Sequence, residues 1–160
     1  MECTRSNCVC KGPSIESRRM QDPGENVTRE LDTPKLEALV ETMYLAAFAD
    51  GEFSEIERAH FGRSVDRLTE GRISPTQFEE VLARLQERLK ASGREGCIDS
   101  IRERLADPRL RWLAVLLAAD ITAADGLILA SEREVLLELA TALGIDAAEA
   151  EELVEGFEIR

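Results

Sequence analysis

Histidine occurs once in this chain, as His60, and aromatic residues make up only 4% of it. A single histidine excludes an H-E-x-x-H zinc motif. There is also no G-x-S-x-G elbow and no phosphate-cradling glycine loop. Arg58, Gly62 and Arg63 surround His60. Carboxylates can host acid–base chemistry, but nothing in the sequence pairs one with a nucleophile, so we expect a protein that is not an enzyme. Long apolar runs are absent too. The longest, "WLAVLLAA" at residues 112–119, falls short of the roughly 20 residues that span a bilayer, and "MECTRSNCVC" has no apolar signal-peptide core. These absences predict a cytoplasmic protein without direct membrane insertion.

An excess of basic charge is the next absence. Lysine and arginine number 20 against 32 acids, a net charge of −12. Residues 1–33 hold six acids and five bases, so the remainder carries −11. Such a domain repels phosphate backbones and anionic lipid, which predicts no nucleic-acid binding and favours basic proteins or cations as partners. The four cysteines, Cys3, Cys8, Cys10 and Cys97, do not form a C-x-x-C zinc pair and are expected to be reduced thiols, with Cys97 at a helix start.

What the chain does have is leucine, alanine, glutamate and arginine with clear helix punctuation. Its 160 residues suffice for one domain that buries about two-thirds of its unfolded surface. Residues 1–32 are polar, contain Pro13, Pro23, Gly12 and Gly24, lack apolar periodicity and are predicted to be a disordered leader. The domain then covers residues 33–160. Thr33 is its first candidate cap, and Pro34 suits the first turn. Leu36, Leu39, Val40, Met43 and Ala47 recur at helical spacing. Ser54-x-x-Glu57, Ser74-x-x-Gln77 and Asp146-x-x-Glu149 read as capping boxes, and Asp107-Pro108 opens another helix. Ser92-Gly93 and Gly96 predict a break before a short linking helix. The pattern gives seven helices and no strand.

The chain also repeats itself. "ADGEFSEIE" at residues 49–57 returns as "ADGLILASE" at 124–132, with 125 − 50 = 75 residues between the aspartates. Under that shift Phe53 meets Ile128, Glu57 meets Glu132 and Arg58 meets Arg133. Beyond the next turn the shift becomes 72, and "ISPTQFEEVL" overlays "IDAAEAEELV". Two related three-helix halves joined by the linking helix are therefore expected to bury their apolar faces against each other.

The repeated joint invites comparison with an EF-hand. Asp-Gly, the following apolar residue and the Glu fit the second half of that calcium loop, but Ala46, Phe48, Ile121 and Ala123 stand where its leading oxygens would be. A calcium ion needs six to eight oxygens, so this is not an EF-hand. Asp50 and Asp125 can serve the turn, and Glu57 and Glu132 can serve the helix starts. Glu132 is kept although Leu129 replaces the capping Ser54, which leaves a ligand role open. Asp120 lies on the same helical stripe as Leu113, and a carboxylate there needs a partner. An arginine such as Arg111 or Arg133 could supply it, or a cation shared with Asp125.

The stretches "LAAFADGEFSEIERAHF" and "LAADITAADGLILASEREVLLELATALGI", together with the seven-helix pattern, resemble the TerB-like family over residues 34–157. This is the helical domain of bacterial tellurite-resistance proteins and of membrane-anchored DnaJ-type co-chaperones. The resemblance implies an all-α fold of two related halves. It also implies a cytoplasmic stress-response or scaffold role, held near the inner membrane through protein partners in a membrane-associated complex. A divalent metal cation at the two joints is implied as well, which carries over to Asp50, Glu57, Asp125 and Glu132, with Asp120 as the added acid.

Overall fold

The computed structural model describes residues 31–49 and 51–158. The expected leader lies, up to residue 30, outside the described residues. Six α-helices follow in order: α1 Thr33–Ala47, α2 Glu55–Leu68, α3 Pro75–Arg104, α4 Pro108–Thr122, α5 Ala130–Ala142 and α6 Ala147–Glu158. A short 3₁₀ helix, Ala123–Asp125, follows α4. No strand occurs among the described residues, and none of their helices is long and apolar enough to cross a membrane.

The helices start where side chains can satisfy free backbone donors. Thr33, the expected cap of α1, is instead its first residue. Asp32 caps that helix, accepting from the Lys35 N–H at 3.1 Å. Ser54 and Ser74 start α2 and α3 with complete capping boxes through Glu57 and Gln77. Asp107 caps α4 ahead of Pro108, and at the start of α6 Asp146 accepts from Ala148. The helix bounds follow the repeat. Those of α4 lie 75 residues after those of α1, since 108 − 33 and 122 − 47 agree. The start of α5 is 75 after that of α2 (130 − 55), and α6 starts 72 after α3 (147 − 75).

The sequence predicts seven helices; six continuous helices are described, and the third of them consists of two helical segments joined across Gly93. The break expected at Ser92-Gly93-Gly96 falls at Gly93, where the two segments of α3 meet at a kink. Gly93 alone leaves helical dihedrals, at φ 67° and ψ 177°, a region open essentially to glycine, and helical bonding resumes immediately after it. Cys97, expected at a helix start, lies four residues after Gly93, near the start of the second segment of α3, and is buried.

The central packing is α1 on α4, and α1 also meets α2, α3 and α5. Its residues Ala38 to Ala47 are all buried, as expected of a helix surrounded by others. One side of α1 joins Phe61, Val65 and Leu68 of α2 with Leu82 and Leu85 of α3. The other side joins the second half of α3 to α4, α5 and α6. The scarce aromatics concentrate in the first half. Tyr44 stacks on Phe48 at 5.5 Å, and Phe61 contacts Phe53 at 5.7 Å and Phe78 at 5.8 Å.

The kink makes a specific demand on the sequence. Gly93→Ala should destabilise the domain by about 1–3 kcal/mol in urea unfolding, whereas alanine at the exposed, helical Ser92 should change it by less than about 0.5 kcal/mol.

Candidate functional site

The two Asp-Gly joints link α1 to α2 and α4 to α5. Gly51 and Gly126 occupy matching places with φ 87° and 89°, the left-handed region that glycine adopts without penalty. Phe53 and Ile128, each half-buried, anchor the loops to the core. Asp50 and the side chain of Asp125 lie outside the described residues.

Glu57 and Glu132 hold equivalent positions and do equivalent work. Glu57 is buried, and its Oε2 accepts from the Ser54 N–H at 2.9 Å. The Oε2 of buried Glu132 accepts from the Leu129 N–H at 2.6 Å. The second joint keeps half of a capping box: leucine cannot accept the returning bond, yet the glutamate still serves the helix start. Arg58 and Arg133 repeat as well. Arg58 holds Glu79 across α2 and α3, and Arg133 approaches Glu151 across α5 and α6 at 3.8 Å.

Asp120 has a partner that sequence reasoning did not name. Its Oδ2 lies 2.9 Å from Nε2 of His60 on α2. Arg63 Nη2 lies 3.3 Å from the other ring nitrogen, Nδ1. A guanidinium can only donate, so Nδ1 accepts and the Nε2–H donates to Asp120. The two arginines considered for Asp120 are engaged elsewhere. Arg111 donates to the Leu105 and Leu143 carbonyls at 2.6 and 3.1 Å, tying the ends of α3 and α5 to α4.

The most buried acid among the described residues is none of those that the sequence pattern singles out. Glu41, 1% exposed on α1, accepts on Oε2 from Arg88 at 2.9 Å and from Arg104. The two arginines lie on opposite sides of the Gly93 kink. Cys97 sits beside this group. Burial, followed by the neighbouring Glu41 carboxylate, pushes its thiol up to about 11, which keeps it protonated and poorly nucleophilic at neutral pH. The sequence signal for this cluster was available: Glu41 interrupts a run of residues with no other charge between Val40 and Ala49.

A cavity of about 150 Å³ lies between α1, the end of α2 and the start of α3, lined by Leu36, Val40 and Leu85 with Arg84 and Arg88. In the second half the shift of 75 puts Arg111 where Leu36 stands. No set of three or more His, Cys, Asp or Glu side chains placed to hold a metal occurs among the described residues, which exclude the two joint aspartates' side chains.

Two stability measurements check these assignments. Leu129→Ser should complete the second capping box and stabilise the domain by about 0.5–1 kcal/mol, read as a higher urea midpoint at unchanged slope. Glu41→Ala leaves Arg88 and the more buried Arg104 without their acid and should cost about 3–5 kcal/mol. Arg88→Ala, removing the more exposed arginine, should cost less than half of that by the same measurement.

Comparison with known proteins returned one family. No curated protein and no solved structure matches the chain. The family described as "Tellurite resistance protein TerB" matches residues 36–155, which takes in both joints and all six helices except the ends of the first and last. With three-quarters of the chain matched, this all-helical protein belongs to the TerB family.

Proposed function

We propose that the domain is a non-enzymatic interaction module, acting in tellurite resistance or a related stress response by holding protein partners. The match of residues 36–155 to the TerB family carries this reading. The net charge of −12 agrees with partners that are basic proteins, and with association at the inner membrane surface only through such partners. The ion pairs Arg58–Glu79 and Arg133–Glu151 link α2 to α3 and α5 to α6 at matching places in the two halves, a repeated frame on which a binding face can be presented.

The divalent cation that the resemblance implies falls mainly to Asp50 and Asp125. Glu57 and Glu132 each commit Oε2 to a helix start, and Asp120 commits Oδ2 to His60. In this reading the cation is a ligand of the joints, and the capping glutamates hold the loops in shape around it.

Two experiments test the proposal. Deleting the gene in the native cell should raise sensitivity to tellurite or to a related stress, and pull-down of the full chain should return a defined partner. A strain with unaltered tolerance and a bait with no specific partner would overturn the module reading. For the cation, melting is followed in EDTA and then with Ca²⁺, Mg²⁺, Mn²⁺ or Zn²⁺. An ion that binds only the folded state adds about 2.7 kcal/mol at 100 times its Kd. One of the four ions should therefore raise Tm, and Asp50→Ala with Asp125→Ala should abolish the rise. No rise with any of them removes the cation from the proposal.

A further inference from the structure

Charge pairing between α1 and the start of α3 stops after one rung. Glu41 and Arg88 meet at 2.9 Å. One turn earlier on each helix stand Glu37 and Arg84, on the same faces by their spacing of four. These two do not form a second rung. Both are exposed, and among the described residues neither has a hydrogen bond or an ion pair. They line the cavity of about 150 Å³ instead, Glu37 from α1 and Arg84 from α3. Most of the remaining wall is apolar, with Leu36 and Val40 of α1, Val65 of α2 and Leu85 of α3.

The second half treats the matching place differently. Under the shift of 75, Arg111 matches Leu36, and Leu143 and Gly144 match Leu68 and Thr69. Thr69 lines the cavity. In the second half the Arg111 guanidinium lodges in that corner. It donates to the Leu143 carbonyl at 3.1 Å, and its Nη1 lies 3.5 Å from where a Cβ on Gly144 would stand. Leucine at position 36 has no such group to lodge there, and the first half keeps the volume open.

An apolar hollow with a few charged groups at its rim is the usual form of a small-molecule site, and each feature here constrains the ligand. A cavity of about 150 Å³ lined by apolar side chains takes a group the size of benzene. Arg84 favours a carboxylate, as does Arg88 through the N–H groups left once Nη1 is spent on Glu41. Glu37 favours an ammonium group and opposes a ligand that is only negative. We propose that the cavity binds an apolar α-amino acid. Its carboxylate faces Arg84 and Arg88, its ammonium group faces Glu37, and its side chain enters between Val40, Val65 and Leu85. A zwitterion has no net charge for a chain of −12 to repel. The site gives the domain a small-molecule ligand in addition to the protein partners proposed above, and does not depend on them.

The test is methyl NMR of the full chain titrated with L-phenylalanine, whose ring shifts the signals of any methyl group it packs against. We expect saturable shifts at Val40, Val65 and Leu85. Phenethylamine, which lacks the carboxylate, and hydrocinnamate, which lacks the ammonium group, should each bind at least about fivefold more weakly. Glycine should cause no shift. Leu36→Arg, which copies the second half, should abolish binding. Arg84→Gln and Glu37→Gln should each weaken L-phenylalanine at least about fivefold, the first shrinking its advantage over phenethylamine and the second its advantage over hydrocinnamate. Circular dichroism verifies that each variant keeps its helices, and the two exposed substitutions decide the matter if Leu36→Arg does not fold. Absence of a saturable shift overturns the proposal. So does equal binding of the three aromatic compounds, which leaves only an apolar hollow. Shifts that survive Leu36→Arg overturn it by placing the ligand elsewhere. Nuclear Overhauser contacts between residues 1–30 and the Val65 methyls in the free chain overturn it as well, since the chain itself would then fill the cavity. A pull-down result bears on the module alone.

Discussion

A carboxylate lies in the middle of the most buried helix. Glu41 is one of ten consecutive buried residues of α1, and an uncompensated charge there would cost several kcal/mol. Its compensation comes from a single neighbouring helix, α3, through Arg88 before the kink and Arg104 after it. A straight α3 would carry those two residues, sixteen positions apart, about 24 Å along one axis. The bend at Gly93 lets both reach the same oxygen. The course of α3 across Gly93 thus brings Arg88, Arg104 and, between them, Cys97 to this one side chain. A buried pair of this kind is weak evidence for net stability, but it allows one registry of α3 on α1, because a slip would leave the charge unpaired.

The repeat supplies the frame around this point. Matching arginines and glutamates cross-link α2 to α3 and α5 to α6, and matching glutamates serve both helix starts after the joints. Where the halves differ, they differ with coverage. Leu45 and Val135 lie together in the larger core cluster, to which the second half of α3 contributes Cys97, Ile98 and Ile101. Their equivalents under the shift are Asp120 and His60, which form a part-exposed polar pair on the other side. An apolar pair suits the buried place and a hydrogen-bonded pair the part-exposed one, since a polar pair left in contact with water loses little solvation.

The same comparison reassigns the acids of the joints. Half of a calcium loop is visible in the sequence of each, but two of its carboxylates are spent on helix ends, and Asp120 is spent on an imidazole. Glu132 persists without a capping serine because the Leu129 N–H still needs an acceptor. The presence of glutamate at both joints is thus explained by backbone satisfaction, a local requirement.

Local requirements are also what the sequence by itself determined. Apolar periodicity, serine and aspartate caps and Asp-Gly joints depend on residues three or four apart, so the all-helical class, the helix starts and the repeat of 75 were legible, as was the TerB resemblance built on them. Even the place of the α3 kink was legible, as a glycine. How the two segments meet at that glycine was decided by packing, because only the folded chain brings Arg88 and Arg104 to Glu41. These partners lie 47 and 63 residues from it, and the His60–Asp120 pair is separated by 60. No short-range pattern encodes such distances. The tertiary structure alone decided which acids are paired and with what, since those partners meet only when distant helices pack together.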